Sequence, residues 1–102
     1  MNIGIIGYGK MGEEVEKKAI QNGHKILFKI NSKNISKVDV VVEFSTPNTA
    51  FNNICFCLNN NTPVVSGTTG WIDRMREIQK LCLTKNGTFL YSENFSIGCI
   101  YF

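Results

Sequence analysis

The sequence predicts an α/β domain in which a parallel sheet of about five strands is flanked by helices. The first observation is that short apolar runs alternate with amphipathic segments, as expected for parallel strands joined by crossover connections. The second is a glycine-rich turn, residues 7–12, between the first apolar run and the first amphipathic segment. The third is length, because 102 residues suffice for one small domain and are too few for two.

Five strands and three helices are predicted from these patterns. The strands cover residues 2–6, 25–30, 39–44, 63–66 and 88–91. The helices cover residues 11–22, the segment from Ser45-Thr46-Pro47 to Asn59-Asn60-Asn61, and residues 71–85. Gly23 and Gly87 are expected to end the first and third helices. Residues 31–38 are too few for a crossover helix, which needs ~10–12 residues, so a loop should connect strands two and three.

Each predicted helix has one apolar stripe that should face the sheet. The stripes consist of Met11, Val15 and Ala19; of Phe51, Ile54, Cys55 and Leu58; and of Trp71, Met75, Ile78 and Cys82. Ser45 or Thr46 is expected to cap the second helix, with Pro47 in its first turn.

Composition argues against several classes of protein. The net charge is +3 and the lysines are interleaved with acids, so no basic stripe suggests nucleic-acid binding. No run approaches the ~20 apolar residues of a membrane span, and no secretory signal is evident, which predicts a cytoplasmic protein. The cysteines have neither C-x-x-C nor zinc-site spacing, which predicts free thiols and no metal site; they are Cys55, Cys57, Cys82 and Cys99.

The segment Gly7-Tyr8-Gly9-Lys10-Met11-Gly12 matches G-x-G-x-x-G, with a strand before it and a helix after it. The first glycine permits a tight turn, the second lets a pyrophosphate approach the backbone, and the third lets the helix pack on the strand. Unpaired amides at the helix start, together with Lys10, favour a phosphate. These features predict a Rossmann-like dinucleotide site, and a tight turn without a ligand is the simpler alternative.

The end of the second strand lacks the carboxylate that commonly binds the adenosine ribose. No Asp or Glu occurs between Glu16 and Asp39, whereas Lys29 and Lys33 lie near the expected position. A 2′-phosphate would meet these lysines and no repelling acid. We therefore expect NADPH to be tolerated or preferred; lysines that are simply solvated are the alternative.

Three further loops follow predicted strands, at the strand ends where open parallel sheets bind ligands. They are Ser45-Thr46-Pro47, the segment Ser66-Gly67-Thr68-Thr69-Gly70-Trp71, and Ser92-Glu93-Asn94-Phe95-Ser96. The hydroxyls of the second loop suit a nicotinamide ribose or carboxamide, although helix capping alone would also account for them. In the third loop Asn94 offers both donors and an acceptor, and Phe95 is suited to cover a flat ring.

The sequence ends in an apolar run, Ile100-Tyr101-Phe102. Because domain ends are usually polar and frayed, residues 97–102 are predicted to start an interdomain helix that has been cut off. A C-terminal segment docked on the core is the alternative.

Four segments in this order resemble the dihydrodipicolinate reductase family: GYGKMG, EFSTP, PVVSGTTGW and NFSIG. The resemblance spans essentially all 102 residues, and GTTGW with NFSIG is more specific than the glycine turn. It implies that residues 1–102 are the N-terminal dinucleotide-binding domain of a reductase. That family reduces 4-hydroxy-tetrahydrodipicolinate with NADPH or NADH, in the diaminopimelate route to lysine.

The resemblance also implies which residues bind the cofactor. They are Gly7, Tyr8, Gly9, Lys10, Met11, Gly12, Asn31, Ser45, Thr46, Gly67, Thr68, Thr69, Ser92, Glu93, Asn94 and Phe95. Lys10 and Met11 take the places of the family's basic residue and methionine. Asn31 stands at the family's acidic ribose-binding position, which agrees with a permissive choice of cofactor.

The family's second domain, with its substrate site, His-His and Lys motif and tetramer contacts, has no counterpart in this sequence. No catalytic residue is therefore assigned, and His24 is predicted to be a turn residue. We expect dinucleotide binding without turnover and no family tetramer. The alternatives are a non-catalytic binding remnant or sensor, and an aspartate or homoserine dehydrogenase relative, against which GTTGW and NFSIG argue.

Overall fold

The computed structural model describes residues 1–7, 9–28 and 30–91, in which strands and helices alternate. The strands are β1 (Asn2–Ile6), β2 (Lys25–Phe28), β3 (Val40–Glu43), β4 (Val64–Ser66) and β5 (Phe89–Tyr91). The helices are α1 (Gly9–Gln21), α2 (Pro47–Asn59) and α3 (Met75–Lys85), and two 3-10 turns cover Ile35–Lys37 and Ile72–Arg74.

The five strands form one parallel sheet in the order β2-β1-β3-β4-β5, which confirms the predicted fold class. The chain moves from β1 to one neighbour, β2, and then returns across β1 to β3 and continues in the opposite direction. Right-handed crossovers place helices on opposite faces when the direction of movement reverses. The helices α1 and α2 accordingly belong to different faces, and the reversal lies between β1 and β3.

Helix α1 covers one face of the sheet. Its buried Val15 and Ala19 pack with Ile3 and Ile5 of β1 and with Val42 of β3. Helices α2 and α3 cover the other face in a larger cluster, whose buried members are Ile35, Val38, Val41, Ala50, Ile54, Cys57, Leu58, Val64, Trp71 and Ile78. Val41 and Val42 thus serve opposite faces, as the period of two in a strand requires.

The connection from β2 to β3 contains no crossover helix, as predicted, but it includes the 3-10 turn Ile35–Lys37. Ile35 and Val38 are buried in the larger cluster, so this connection covers the sheet where a helix would otherwise lie. It packs tightly, since a Cβ added to Gly4 would lie 2.8 Å from Cδ1 of Ile30.

Several predicted boundaries were wrong by two or more residues. Strand two ends at Phe28 and not at residue 30, and α1 begins at Gly9 and not at residue 11. The third helix begins at Met75 and not at residue 71, because residues 72–74, which directly follow the buried Trp71, form a 3-10 turn. The third helix does end at Lys85, as predicted, and its left-handed C-cap residue is Asn86, with φ of 51°, one residue before Gly87.

Candidate functional site

The carboxyl ends of four strands lie in register along one edge of the sheet. Ile6 pairs with Glu43, Glu43 with Ser66, and Ser66 with Tyr91. The glycine turn and the loops after β3 and β4 begin just beyond this row, so the sheet brings them together. The reversal between β1 and β3 opens a crevice at this edge, which is where doubly wound sheets bind ligands.

Gly7 begins the glycine turn with a φ of +86°, a conformation that favours glycine. A Cβ at this position would lie 2.3 Å from the backbone oxygen of Phe44, which follows β3. The turn therefore depends on glycine for both its conformation and its contact with the neighbouring strand. Tyr8 lies outside the described residues, and only the backbone of Lys10 and Met11 is described.

The start of α1 is suited to an anion. The helix begins at Gly9, and no acidic residue lies in its first turn. The amides of a first helical turn have no intrahelical partner, and the helix dipole places partial positive charge there. Gly12 is buried, in keeping with close packing of this turn on the sheet.

Glu43, at the end of β3, has a fully buried side chain that the sequence analysis did not single out. One carboxylate oxygen, Oε1, accepts a hydrogen bond from Ser66 Oγ at 2.7 Å. The other, Oε2, accepts from the Ser45 amide at 2.8 Å, from Thr68 Oγ1 at 2.9 Å and from Ser45 Oγ. A glutamate inside the otherwise apolar run VVVEF was the available signal, because buried charges require partners.

Two predicted contact residues, Ser45 and Thr68, therefore direct their hydroxyls into the protein. Ser45 Oγ also accepts from Thr49 Oγ1 at 3.0 Å and from Asn53 Nδ2 at 3.1 Å. Thr46 is the exposed N-cap of α2, and its amide donates to Thr49 Oγ1 at 3.3 Å. The prediction of a Ser or Thr cap followed by Pro47 is thus confirmed, with Thr46 in that role.

The GTTG loop after β4 is fixed at both ends. The Gly67 amide donates to the Glu43 carbonyl oxygen at 2.7 Å, which extends the ladder between β3 and β4. Trp71 Nε1 donates to the Thr68 carbonyl oxygen at 2.6 Å. Gly70 has a φ of +90°, and a Cβ there would lie 2.8 Å from Pro47 Cγ. Thr69, at the tip, is exposed.

Asn31 lies in an exposed turn after β2. Its Oδ1 accepts from the amides of Lys33 at 2.8 Å and Asn34 at 3.2 Å, and its own amide donates to Asn34 Oδ1 at 2.7 Å. The side-chain oxygen thus stabilises the turn itself. Lys33 is exposed, and Lys29 lies outside the described residues.

A mostly apolar cavity of about 620 Å³ opens beside the glycine turn, on the β2 side of the edge. It is lined by Ile5, Ile6, Gly7, Phe28, Ile30, Asn53 and Phe56. Sequence analysis missed the residues of β2 and α2 in this set. The spacing of Asn53 and Phe56, three residues apart on α2, was the signal that they share a face.

The remaining candidates lie elsewhere or outside the described residues. His24 precedes β2, at the opposite edge of the sheet, where its Nδ1 lies 3.0 Å from the amino group of Met1. Ser92, Glu93, Asn94 and Phe95 fall outside the described residues, as does the segment 97–102.

Burial raises the pKa of the Cys57 thiol to about 12, and the nearby charge of Glu43 contributes in the same direction. Cys55, Cys57 and Cys82 are free thiols. Within residues 1–7, 9–28 and 30–91, no three His, Cys, Asp or Glu side chains are arranged to hold a metal ion. Within the same ranges, every helix is too short or too polar to cross a membrane.

The chain is similar to known proteins both in sequence and in fold. The family described as dihydrodipicolinate reductase, N-terminus, matches residues 18–95. A 4-hydroxy-tetrahydrodipicolinate reductase of Christiangramia forsetii is 40% identical over 104 residues, covering 96% of this chain and 44% of that protein. A second 4-hydroxy-tetrahydrodipicolinate reductase, from Carboxydothermus hydrogenoformans, is 32% identical over 97 residues, covering 94% of this chain and 33% of that protein.

A solved structure shares the fold. It is the dipicolinate-bound dihydrodipicolinate reductase from Paenisporosarcina sp. TG-14, with a TM-score of 0.81 and 23% sequence identity. The match covers 96% of this chain and 49% of that one, and the chain likewise spans less than half the length of the two sequence relatives. On the strength of the family match, the chain belongs to the dihydrodipicolinate reductase family and corresponds to its N-terminal, dinucleotide-binding domain.

Proposed function

We propose that this chain holds NADPH or NADH for a 4-hydroxy-tetrahydrodipicolinate reductase of lysine biosynthesis. The observation that supports this most is the meeting of the glycine turn, the Ser45 loop and the GTTG loop at one carboxyl edge, beside the reversal between β1 and β3. Such an edge suits an extended ligand whose parts contact successive strands. When bound, the nicotinamide would supply the hydride.

The pyrophosphate fits the glycine turn and the start of α1. Gly7 brings the backbone against β3 with no room for a Cβ, and the first turn of α1 contains no acid. Backbone amides and the helix dipole at this point favour a negatively charged group. We assign Gly7, Gly9 and Gly12 to this part of the site, together with Tyr8, Lys10 and Met11 from the sequence motif.

The adenosine fits the cavity on the β2 side of the glycine turn. A volume of about 620 Å³ with an apolar lining accommodates a purine and its ribose, and Phe28 and Phe56 supply aromatic surface. Asn31 and Lys33 lie beyond the end of β2, where the ribose 2′ substituent is expected in this fold.

The nicotinamide half then extends along the same edge over β3 and β4. The GTTG loop, with exposed Thr69 and the backbone of Gly67 and Thr68, is suited to its ribose and carboxamide. Thr68 contributes through its backbone, because its hydroxyl is bonded to Glu43. Ser92, Glu93, Asn94 and Phe95 complete this assignment from the sequence motif alone.

The choice of cofactor is tested by titrating the chain with NADPH and NADH and measuring the two dissociation constants by nucleotide fluorescence. We expect NADPH to bind at least as tightly, because no carboxylate follows β2 to repel its 2′-phosphate. Lys33→Ala should weaken NADPH roughly threefold and leave NADH unchanged, since an exposed ion pair contributes less than about 1 kcal/mol. A tenfold lower dissociation constant for NADH would contradict this preference.

A turnover assay on the same preparation tests the remainder of the proposal. His24, the one histidine of the 102 residues, lies at the edge opposite the site, so these residues present no histidine to a substrate there. We therefore expect binding without reduction of 4-hydroxy-tetrahydrodipicolinate by the 102 residues alone. Turnover by them would contradict the view that further residues of the family's chain are required.

A further inference from the structure

The buried side chain of Glu43 joins the two loops that follow β3 and β4. From the first loop, Ser45 donates to the carboxylate through its amide at 2.8 Å and also through its hydroxyl. From the second loop, the hydroxyl of Ser66 donates at 2.7 Å and that of Thr68 at 2.9 Å. A carboxylate has about four acceptor positions, so these four donors match its capacity and divide it between the two loops.

The first half of the GTTG loop is held by Glu43 at three consecutive residues. Besides the hydroxyls of Ser66 and Thr68, the amide of Gly67 donates to the Glu43 backbone oxygen at 2.7 Å. The loop is thus fastened to one residue of the neighbouring strand through both its backbone and its side chains. A change at Glu43 would therefore alter where this part of the loop lies.

The glycine turn packs against a peptide group that Glu43 also holds. A Cβ added to Gly7 would lie 2.3 Å from the backbone oxygen of Phe44 and 3.1 Å from the amide nitrogen of Ser45. That same Ser45 amide donates to the Glu43 carboxylate. Glu43 therefore connects the turn assigned to the pyrophosphate with the loop assigned to the nicotinamide half.

Stability alone does not account for a carboxylate at this position. Glu43 interrupts an apolar run and is fully buried, and the removal of a charge from water costs free energy that its hydrogen bonds must offset. Apolar side chains of similar size often stabilise a core equally well or better. A fully satisfied polar network instead fixes one geometry, which favours a role in positioning the loops.

We propose that Glu43 is a positioning residue for the nicotinamide half of the dinucleotide, because it fixes the GTTG loop relative to the Ser45 loop and the glycine turn. This inference rests on the proposed function, which assigns the nicotinamide ribose and carboxamide to the GTTG loop. Glu43 is buried, so it acts through the loop and not by touching the ligand. Neither Ser66 nor Thr68 is among the described residues that line the cavity assigned to adenosine.

The test compares NADPH with 2′-phospho-ADP-ribose, which carries a hydroxyl in place of the nicotinamide ring, by calorimetric titration. We expect the wild-type chain to bind NADPH about three- to tenfold more tightly, the range for about one hydrogen bond. Ser66→Ala and Thr68→Val each remove one donor to Glu43. Each should lower this ratio about twofold or more, towards one, because a less firmly placed loop is less preorganised. The dissociation constant of 2′-phospho-ADP-ribose should not change.

Thr62→Val is the matched control. Thr62 is a buried threonine that precedes β4, whereas Thr68 follows it, so the same substitution is made at the other end of the strand. It should leave the ratio of the two dissociation constants as in the wild type.

Glu43→Gln separates positioning from a merely structural role. Hydrogen bonds to a neutral acceptor are roughly half as strong as those to a carboxylate, so the loop is held less firmly and the ratio should fall. A structural role would weaken both ligands equally and leave the ratio unchanged. Because Glu43→Gln and Thr68→Val act on the same bond, the double variant should lower the ratio less than the product of the two single effects. Direct contact of the Thr68 hydroxyl with the nicotinamide would make the two effects multiply.

Three results would overturn the inference: equal affinities of the wild type for the two ligands, an unchanged ratio in Glu43→Gln, or multiplying effects in the double variant. If Glu43→Gln does not fold, an unchanged ratio in both Ser66→Ala and Thr68→Val overturns it instead. Failure of the folded wild-type chain to bind NADPH would contradict the proposed function itself. The two failures are distinguishable, because the inference concerns a ratio and the proposed function concerns binding as such.

Discussion

Gly7 shows how a single missing side chain determines the local structure of the site. Its φ of +86° strains any L-residue, and Phe44 O occupies the space that a Cβ would need. Gly23 is a matched comparison, because its φ is +81° and a Cβ there would meet nothing within 4 Å. Both glycines have a positive φ, but only at Gly7 would an added side chain also clash with neighbouring backbone.

The substitution Gly7→Ala should therefore cost much more stability than Gly23→Ala. For Gly23→Ala we expect a loss of about 1 kcal/mol from the left-handed conformation. For Gly7→Ala we expect about 3 kcal/mol or more, together with loss of NADPH binding, because backbone must move. Urea unfolding followed by circular dichroism measures both, and equal losses would show that the contact with Phe44 is unimportant.

Cys57 gives a second prediction at the scale of one residue. Its folded pKa of about 12 lies above the ordinary value of 9.0, so the folded state retains the proton more strongly than the unfolded state. The stability that this provides is complete below pH 9 and is lost as the pH rises towards 12. The expected slope is a decrease of up to about 1.4 kcal/mol per pH unit in the free energy of unfolding.

Urea unfolding between pH 8 and pH 10.5 tests this prediction. Cys57→Ala should be less stable throughout, because it leaves a cavity, but its stability should fall less steeply with pH above 9. The comparison of slopes removes the contribution of other groups that titrate in this range. Parallel curves for the two proteins would contradict the assignment.

At the scale of elements, the segment from the GTTG loop to α3 depends on Trp71. The indole N–H donates to the Thr68 carbonyl oxygen. The indole also packs edge-on against two aromatic rings of β5, with ring centroids 5.9 Å apart for Phe89 and 5.7 Å apart for Tyr91. The loop that the sequence motif identified is thus anchored to β5 by the residue that precedes the 3-10 turn. This anchoring also explains why α3 starts later than its apolar periodicity predicts.

The substitution Trp71→Phe should lower the free energy of unfolding by about 1–3 kcal/mol, because a buried carbonyl loses its donor and a void forms. NADPH binding should weaken as well, since the Thr68 backbone is released. Ile72→Ala, at a position 42% exposed, is the control and should change both quantities little. Unfolding should be followed by circular dichroism, because Trp71 is the single tryptophan and its substitution removes the tryptophan fluorescence signal. Unchanged binding in Trp71→Phe would show that the loop does not depend on this anchor.

At the scale of the whole molecule, the side chains that the structure describes cover the two faces of the sheet unequally. The α1 face has the smaller buried cluster, and the face of α2 and α3 has the larger one. Local opening needs less energy where fewer apolar contacts are lost. We therefore expect α1, the helix whose first turn is suited to bind phosphate, to open more readily than α2.

Hydrogen exchange should show this difference directly. We expect the amides in the middle of α1 to exchange faster than those in the middle of α2, and NADPH to slow exchange in α1 most, because a ligand at its first turn opposes opening. Mass spectrometry of peptides from the two helices measures both effects. Equal protection of α1 and α2 would contradict the unequal coverage.

The sequence by itself determined the order and type of the elements, the parallel sheet and the loops at its carboxyl edge. Periodicity, caps and glycine turns act over a few residues, so they can be recognised without the fold. Boundaries were less well predicted, since the residue at which an element begins can depend on tertiary contacts, as at Trp71 before α3. The cavity beside the glycine turn was missed because it joins side chains from β1, β2 and α2.

Only the tertiary structure decided what the hydroxyls of the candidate loops do. Ser45 and Thr68 look equivalent to Thr69 in sequence, yet the first two bond to Glu43 while Thr69 is exposed. That difference depends on the register of β3 and β4, which places Glu43 opposite Ser66, 23 residues away. A local pattern contains no information on such pairing, because it is fixed by which strands become neighbours and not by the residues beside each one.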